Sequence, residues 1–503
     1  MRGLYIHIPF CVKKCSYCDF YSLPAHTDTI ESYVQAVLQE AHAYSPSFVR
    51  PKVPCISTGR IEGELFPHLN PSQSPFTKGR SPSVSFQTLY IGGGTPSLLG
   101  PKNLTTLITS LPCHSERSEE SSSPHRHCER SEAISERGGI PNPSMLVSSP
   151  IERERKLSLL VSPLAPCGRR PQPEVPEARR ETESERGANQ TVNPLCSSPL
   201  EGEDSGEGFP LSKNKNSLIE STIEVNPESA TPEFLQTVKN LGFTRLSFGV
   251  QSLNDNELQS VGRIHTAAQA IKAIKLAQKI NFQSISADLI IGLPGQSWTS
   301  LRNSLSTLVG MGIQHLSVYC LSLEAGTPMA NNPPPDLPTD EMQARLFEET
   351  RNYLKTCGFA HYEISNFALP GYECLHNLNY WRGGEYLGLG PAAASHLNGK
   401  RFKNRANLDA YLQNPTGQIE DIEELNPKNK AAEEAMLRLR LLEEGLNLVE
   451  LTAKFGPANT VDIIRRLDKM VQEGLLLQTG SACRLEPSRI LTSNPIFARV
   501  LGD

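Results

Sequence analysis

The chain has 503 residues, and its 49 Lys+Arg against 54 Asp+Glu leave a net charge of −5, too balanced for bulk nucleic-acid binding. Length alone allows about two to four domains, while 39 prolines exceed the usual share of roughly 5% and place part of the chain outside any packed core. No apolar run approaches the roughly 20 residues that cross a bilayer, and MRGLYIHIPF lacks a signal peptide's apolar region and cleavage site, which excludes a secreted, collagen-like or integral membrane protein and leaves peripheral membrane contact open.

In chain order, Leu4–Phe10 reads as a strand and Ile30–Ala43 as a helix. Residues 45–83 turn to Pro, Ser, Gly and charge without a usable period. A second strand lies near Thr88–Ile91 and ends in Gly92-Gly93-Gly94. Residues 112–216 form a longer break that holds a short near-repeat, CHSERSEESS and CERSEAIS. Both breaks bury too little apolar surface to offset their ordering entropy and are read as disordered insertions at surface loops. A metal site at His114, His125, His127 and Cys128 is the weaker alternative. A third strand spans Ile219–Val225, PEFLQTVKNLG is a helix, and TRLSFGVQS is a fourth strand. LQSVGRIHTAAQAIKAIKLAQKI carries helical spacing, SISADLIIGLPGQ is a fifth strand, SLSTLVGMG another helix and HLSVYCLSL a sixth strand. Strands alternating with helices predict parallel βαβ units. The fold class is therefore α/β, a partial TIM-like (β/α)6 barrel over 1–327 whose strand C-terminal ends carry the site.

A proline-rich stretch, NNPPPDLP, opens a connecting region over 328–425, with a helix around Asp340–Cys357 and then the aromatic, glycine-rich HYEISNFALPGYECLHNLNYWRGGEYLGLGPAAASH. Residues 426–503 read as helices closing on a short hairpin, a mainly helical, winged-helix-like domain. Such a domain can bind nucleic acid, but its mixed charge favours packing or partner docking, so no nucleic-acid partner is expected.

Twelve cysteines are too sparse for a disulfide scaffold and point to a reducing cytoplasm. Cys11, Cys15 and Cys18 cluster directly after the first strand. Three thiolates from a single loop can wrap one face of an iron–sulfur cubane, which takes a further ligand, so one iron stays open. Zinc is the alternative, with His7 or His26 as its fourth ligand.

Cys11-Val-Lys-Lys-Cys15-Ser-Tyr-Cys18 at a barrel mouth resembles the signature of the radical S-adenosylmethionine superfamily. Leu4–Ala43, Val84–Leu111 and Leu218 to near the end are similar to the branch that contains oxygen-independent coproporphyrinogen III oxidase and the HemW-type heme chaperones. The resemblance implies a 4Fe-4S cluster on the three cysteines, whose open iron chelates S-adenosylmethionine and whose electron cleaves it to methionine and a 5′-deoxyadenosyl radical. It also implies roles at matching positions. Tyr5 would lie beside the cofactor, and Tyr17 would touch it through its backbone. Gly93, Gly94 and Thr95 of GGGTPS would admit the methionyl ammonium. Glu224 would take the ribose or ammonium, Gln251 and Asp288 the ribose, Arg263 the methionyl carboxylate, and the Ser322 backbone the adenine. Each residue taken singly has an ordinary core, surface or capping reading; together, at strand ends, they describe one pocket.

Two departures separate the siblings. Where the oxidase carries a further cysteine this chain has Phe20, and it begins three residues before Leu4, where the oxidase has an extra segment. His376-Asn377-Leu378-Asn379-Tyr380-Trp381 looks like the HNxxYW motif of the chaperones, which is implicated in heme handling. An imidazole can ligate heme iron, and Tyr380 and Trp381 can stack on a macrocycle. A histidine hydrogen-bonded at an inter-domain interface is the other reading of His376, and a buried structural thiol that of Cys374. The expectation is a cytoplasmic heme chaperone that hands heme to apoproteins such as respiratory cytochromes, its cluster and cofactor serving regulation or dimerisation. Oxidative decarboxylation of coproporphyrinogen III is the alternative.

Overall fold

A computed structural model describes residues 1–44, 86–112 and 218–502; apart from Pro112, the two segments read as insertions lie outside them. The six expected strands are β1 (Arg2–Ile8), β2 (Thr88–Gly93), β3 (Glu220–Val225), β4 (Arg245–Gln251), β5 (Ser284–Ile291) and β6 (His315–Cys320). Each is parallel to the next. Their side chains are buried on both faces: one face is apolar, as Leu4, Ile6 and Ile8 or Leu246, Phe248 and Val250 illustrate, and the other carries polar groups as well, such as Tyr5, His7 and Ser247. Amphipathic helices cover the outside. Thr27–Ala43 buries Ile30, Tyr33, Val34 and Val37, and Trp298–Gly310 buries Leu301, Leu305 and Leu308 behind a Ser297 cap.

Residues 360–424 extend the same sheet. β7 (Ala360–Glu363) and β8 (Asn366–Ala368) add an antiparallel hairpin beyond β6, while β9 (Glu385–Leu389) lies parallel to β1 on the other side. β10 (Ala394–Leu397), β11 (Lys400–Asn404) and β12 (Ile419–Glu424) follow as an antiparallel meander. The order is β12-β11-β10-β9-β1-β2-β3-β4-β5-β6-β8-β7, so the barrel is open and has a seventh parallel strand. β9 hides in a glycine-rich stretch for a steric reason: a Cβ at Gly388 would stand 2.2 Å from the Ala394 carbonyl oxygen.

The continuous helix expected through LQSVGRIHTAAQ divides into Asp255–Ser260 and Ala267–Lys279. Gly262 takes φ +78° and Thr266 starts the second helix with a capping box to Gln269, a strong N-terminus signal. Arg263 sits in the break, free of a helical surface.

Toward the C-terminus, helices Pro427–Arg438, Leu448–Phe455 and Pro457–Gln472 pack with a small antiparallel sheet (Leu446–Asn447, Leu476–Thr479, Ala482–Leu485) and a last helix, Ser493–Leu501, in a winged-helix outline. Among the described residues no helix is long and apolar enough to cross a membrane.

Candidate functional site

The loops after the parallel strands converge at the C-terminal end of the barrel around an open cavity of about 1360 Å3, its solvent-filled mouth included. The cysteine loop forms one wall, contributing Cys11, Cys15, Tyr17 and Cys18. Backbone hydrogen bonds from Ser16 N to Val261 O (3.2 Å) and from Met329 N to Ser16 O (3.0 Å) hold that loop from two sides. Below it, His7 Nε2 meets the Tyr21 carbonyl at 3.0 Å while Nδ1 meets Tyr5 Oη at 3.0 Å. Both ring nitrogens of His7 are thus engaged, and burial lowers its pKa to about 4.

The thiols of Cys11, Cys15 and Cys18 are all free and face one cavity. Two donors approach their sulfurs: Thr95 Oγ1 lies 3.6 Å from Cys11 Sγ, and Arg263 Nη1 3.8 Å from Cys15 Sγ. Such hydrogen bonds tune iron–sulfur centres. Burial pushes the Cys18 thiol up to about 12, which keeps it neutral until a bound cation draws off its proton. Three cysteines with donors on two of their sulfurs, a His7 engaged at both ring nitrogens and a His26 that does not line the cavity fit a 4Fe-4S cluster with one open iron better than zinc.

Gly93 and Gly94, at the end of β2, make the second wall. Gly93 takes φ +111°, where an L side chain is strained, and a Cβ at Gly94 would stand 2.3 Å from the Phe10 carbonyl oxygen. Glu224, Gln251, Asp288 and Ser322 close the remaining sides with Arg263. Gln251 adopts φ +66° where the β4–β5 register shifts, a left-handed backbone that costs a non-glycine residue roughly 1–2 kcal/mol and aims the side chain over the pocket. Arg263 Nη2 donates to Gly249 O (2.7 Å) and to Asn226 Oδ1 (3.0 Å). Glu224 accepts from Tyr90 Oη (2.8 Å) and from Gly93 N (3.1 Å). Burial, with Asp288 nearby, raises its pKa to about 7. Burial likewise raises Asp288 to about 6, although Ser247 donates to it at 3.1 Å. Two acids poised near neutrality and a buried guanidinium suit a zwitterionic ligand that carries hydroxyls.

Three of the expected residues lie elsewhere. Tyr5 is buried in the barrel beneath the cavity, its hydroxyl taken by His7. Thr95 stands behind the cysteine loop, between Cys11 and Asn226 Nδ2, which donates to its Oγ1 at 2.9 Å. His376 lies at the opposite end, against Gly3 and Thr88 at the start of β1 and β2. Its Nδ1 meets Thr88 Oγ1 (2.8 Å), its Nε2 meets Tyr380 Oη (2.9 Å), and burial lowers its pKa to about 3. Trp381 is 3% exposed, and the Arg440 guanidinium lies over both its ring (5.1 Å) and that of Phe497 (4.8 Å). In this state neither His376 nor Trp381 offers a surface to a macrocycle. Cys374 is buried beside Glu220. Sequence reasoning missed Asn226, which ties Thr95 to Arg263, although it stands two residues after Glu224 in the same strand-end motif.

A parallel barrel with a three-cysteine loop over a cavity at its strand ends defines a radical S-adenosylmethionine protein, and the Radical SAM superfamily model matches residues 193–308. Over 100% of both chains this one is 32% identical to "Heme chaperone HemW" of Bacillus subtilis (strain 168). It is 26% identical to the protein of that name from Escherichia coli (strain K12), over 100% of this chain and 98% of the relative. The chain belongs to the HemW family. Its fold is shared with the solved coproporphyrinogen III oxidase (HemN) from Escherichia coli at a TM-score of 0.63 and 17% identity, covering 100% of this chain and 89% of that one. Radical S-adenosylmethionine membership implies a 4Fe-4S cluster and S-adenosylmethionine.

Proposed function

We propose that this protein is a heme chaperone that binds a 4Fe-4S cluster, S-adenosylmethionine and heme, and passes heme to apoproteins such as respiratory cytochromes. The observation that carries the reading is full-length likeness to HemW together with a cavity walled by Cys11, Cys15 and Cys18. Those cysteines hold the cluster. The cluster supplies one-electron chemistry at an open iron; the protein binds and orients what reaches it. Gly93 and Gly94 admit the methionyl ammonium, Arg263 pairs with the carboxylate, and Glu224, Gln251 and Asp288 take the hydroxyls, with Tyr17 and Ser322 bordering the nucleoside. Heme ligation by His376 demands that helix Leu375–Trp381 leave its place, since both ring nitrogens are engaged.

Anaerobic reconstitution followed by heme titration at the Soret band tests the reading, with coproporphyrinogen III plus S-adenosylmethionine in parallel. Stoichiometric heme binding without protoporphyrinogen is the expected result. Decarboxylation would replace the reading with that of an oxidase.

A further inference from the structure

β2 and β3 line the barrel interior in two tiers, and one side chain joins them. In the lower tier, the Glu220 carboxylate accepts from Leu375 N (3.1 Å) and His376 N (3.0 Å), and Thr88 Oγ1 meets His376 Nδ1 at 2.8 Å. In the upper tier Glu224 lines the cavity. Tyr90, two residues above Thr88, reaches both. Its hydroxyl donates to Glu224 Oε1 at 2.8 Å, and its ring stacks on the His376 imidazole with centroids 5.1 Å apart and planes at 29°. The contact continues from His376 Nε2 to Tyr380 Oη at 2.9 Å. Gly92 makes room for the junction, because a Cβ there would stand 2.8 Å from Glu224 Oε1 and 2.9 Å from Tyr90 Cε1.

Helix Leu375–Trp381 has 7 residues, too few to be stable by itself, so the contacts at its base set how readily it opens. A donor arriving at Glu224 from the cavity would fix the carboxylate, and a charge-assisted bond from the Tyr90 hydroxyl would tighten with it. The phenol ring, held at its far end, is then a firmer platform for the imidazole.

We propose that Tyr90 is a positioning residue: it sets Glu224 for the ligand in the cavity, and through its ring it makes occupancy of the cavity tighten the HNxxYW helix at the far end of the barrel. This rests on the reading of the cavity as the S-adenosylmethionine site. Coupling of this kind is reciprocal, so loosening the helix must weaken binding in the cavity by the same factor.

Hydrogen–deuterium exchange of the 375–382 amides in cluster-loaded protein, with and without S-adenosylmethionine, reads the coupling directly. In the wild type the cofactor should slow exchange there several-fold. Tyr90→Phe keeps the ring and removes the hydroxyl; it should bind S-adenosylmethionine roughly tenfold more weakly and lose the added protection at a saturating concentration, at unchanged iron content. Cofactor binding by the wild type without change in the helix would overturn the role of Tyr90 and leave the cavity reading standing. No cofactor binding by the wild type, seen as an unaltered cluster EPR signal, would overturn the cavity reading and the role with it. Should Tyr90→Phe not fold, Thr88→Val tests the reverse direction: faster helix exchange with unchanged cofactor affinity would overturn the coupling.

Discussion

The two ends of the barrel are built from the same strands and treat polar groups in opposite ways. At the C-terminal end Glu224 and Asp288 are held near neutrality, with pKa values of about 7 and 6, and Gln251 keeps a left-handed backbone. At the N-terminal end Glu220, Thr88, His376 and Tyr380 close on one another, and the histidine is neutral across the physiological range. An open, strained tier is poised for a ligand; a tier whose side chains close on one another is core. A functional motif can therefore lie in the closed tier, where its present contacts are structural and its ligand chemistry requires opening.

The sharpest way to break the contrast is Cys15→Ala, which should abolish cluster assembly, read as iron content and visible absorbance, while the melting temperature of the cluster-free protein stays near wild type. Trp381→Ala at the opposite end should do the reverse. Removing a side chain that is 3% exposed beneath Arg440 should cost about 3–5 kcal/mol in denaturant unfolding, and a variant that remains folded should still load iron. Arg263→Leu deletes the bonds to Gly249 O and Asn226 Oδ1 and should weaken S-adenosylmethionine binding by about 2–3 kcal/mol in calorimetry, with cluster content retained. Unchanged affinity would remove Arg263 from the pocket's chemistry.

A further contrast is a pH signature of opposite sign at the two ends. Glu224 rises from 4.5 to about 7 on folding, under burial and the neighbouring Asp288. The folded state therefore binds its proton more tightly, and stability falls as pH climbs from about 4.5 to 7. His376 drops from 6.5 to about 3 on burial, so its contribution is present above pH 6.5 and is lost as pH falls toward 3. Relative to Glu224→Gln, the wild type should lose stability with rising pH; relative to His376→Gln, it should lose stability with falling pH. Parallel profiles from the two variants would contradict the contrast.

Much of the cavity end was legible because its residues stand at or near the ends of strands that alternate with helices, and because the three cysteines are closely spaced. Arg263 was found by its motif, although the helix break that frees it was not, since GRIHT carries the same apolar spacing as its flanks. Tyr5 was expected beside the cofactor and Thr95, with Gly93 and Gly94, at its methionyl ammonium; the Tyr5 hydroxyl meets His7, and the Thr95 hydroxyl faces Cys11 Sγ. At the base, the letters of HNxxYW are equally suited to gripping a ligand or a strand. Only the distances to Thr88, Tyr90 and Glu220, all more than 150 residues away in sequence, decide which of these the motif does here. The strand Glu385–Leu389 escaped because glycines demanded by close backbone approach lower its strand character.

Heme transfer tests the central reading most directly. The cluster-loaded protein would be charged with heme under anaerobic conditions and mixed with an apo b-type cytochrome, and the Soret band followed as heme moves. The expected result is heme bound by this protein appearing in the acceptor, with S-adenosylmethionine altering the rate or extent. A protein that loads its cluster but neither binds nor releases heme would contradict the chaperone reading and leave only the radical S-adenosylmethionine fold.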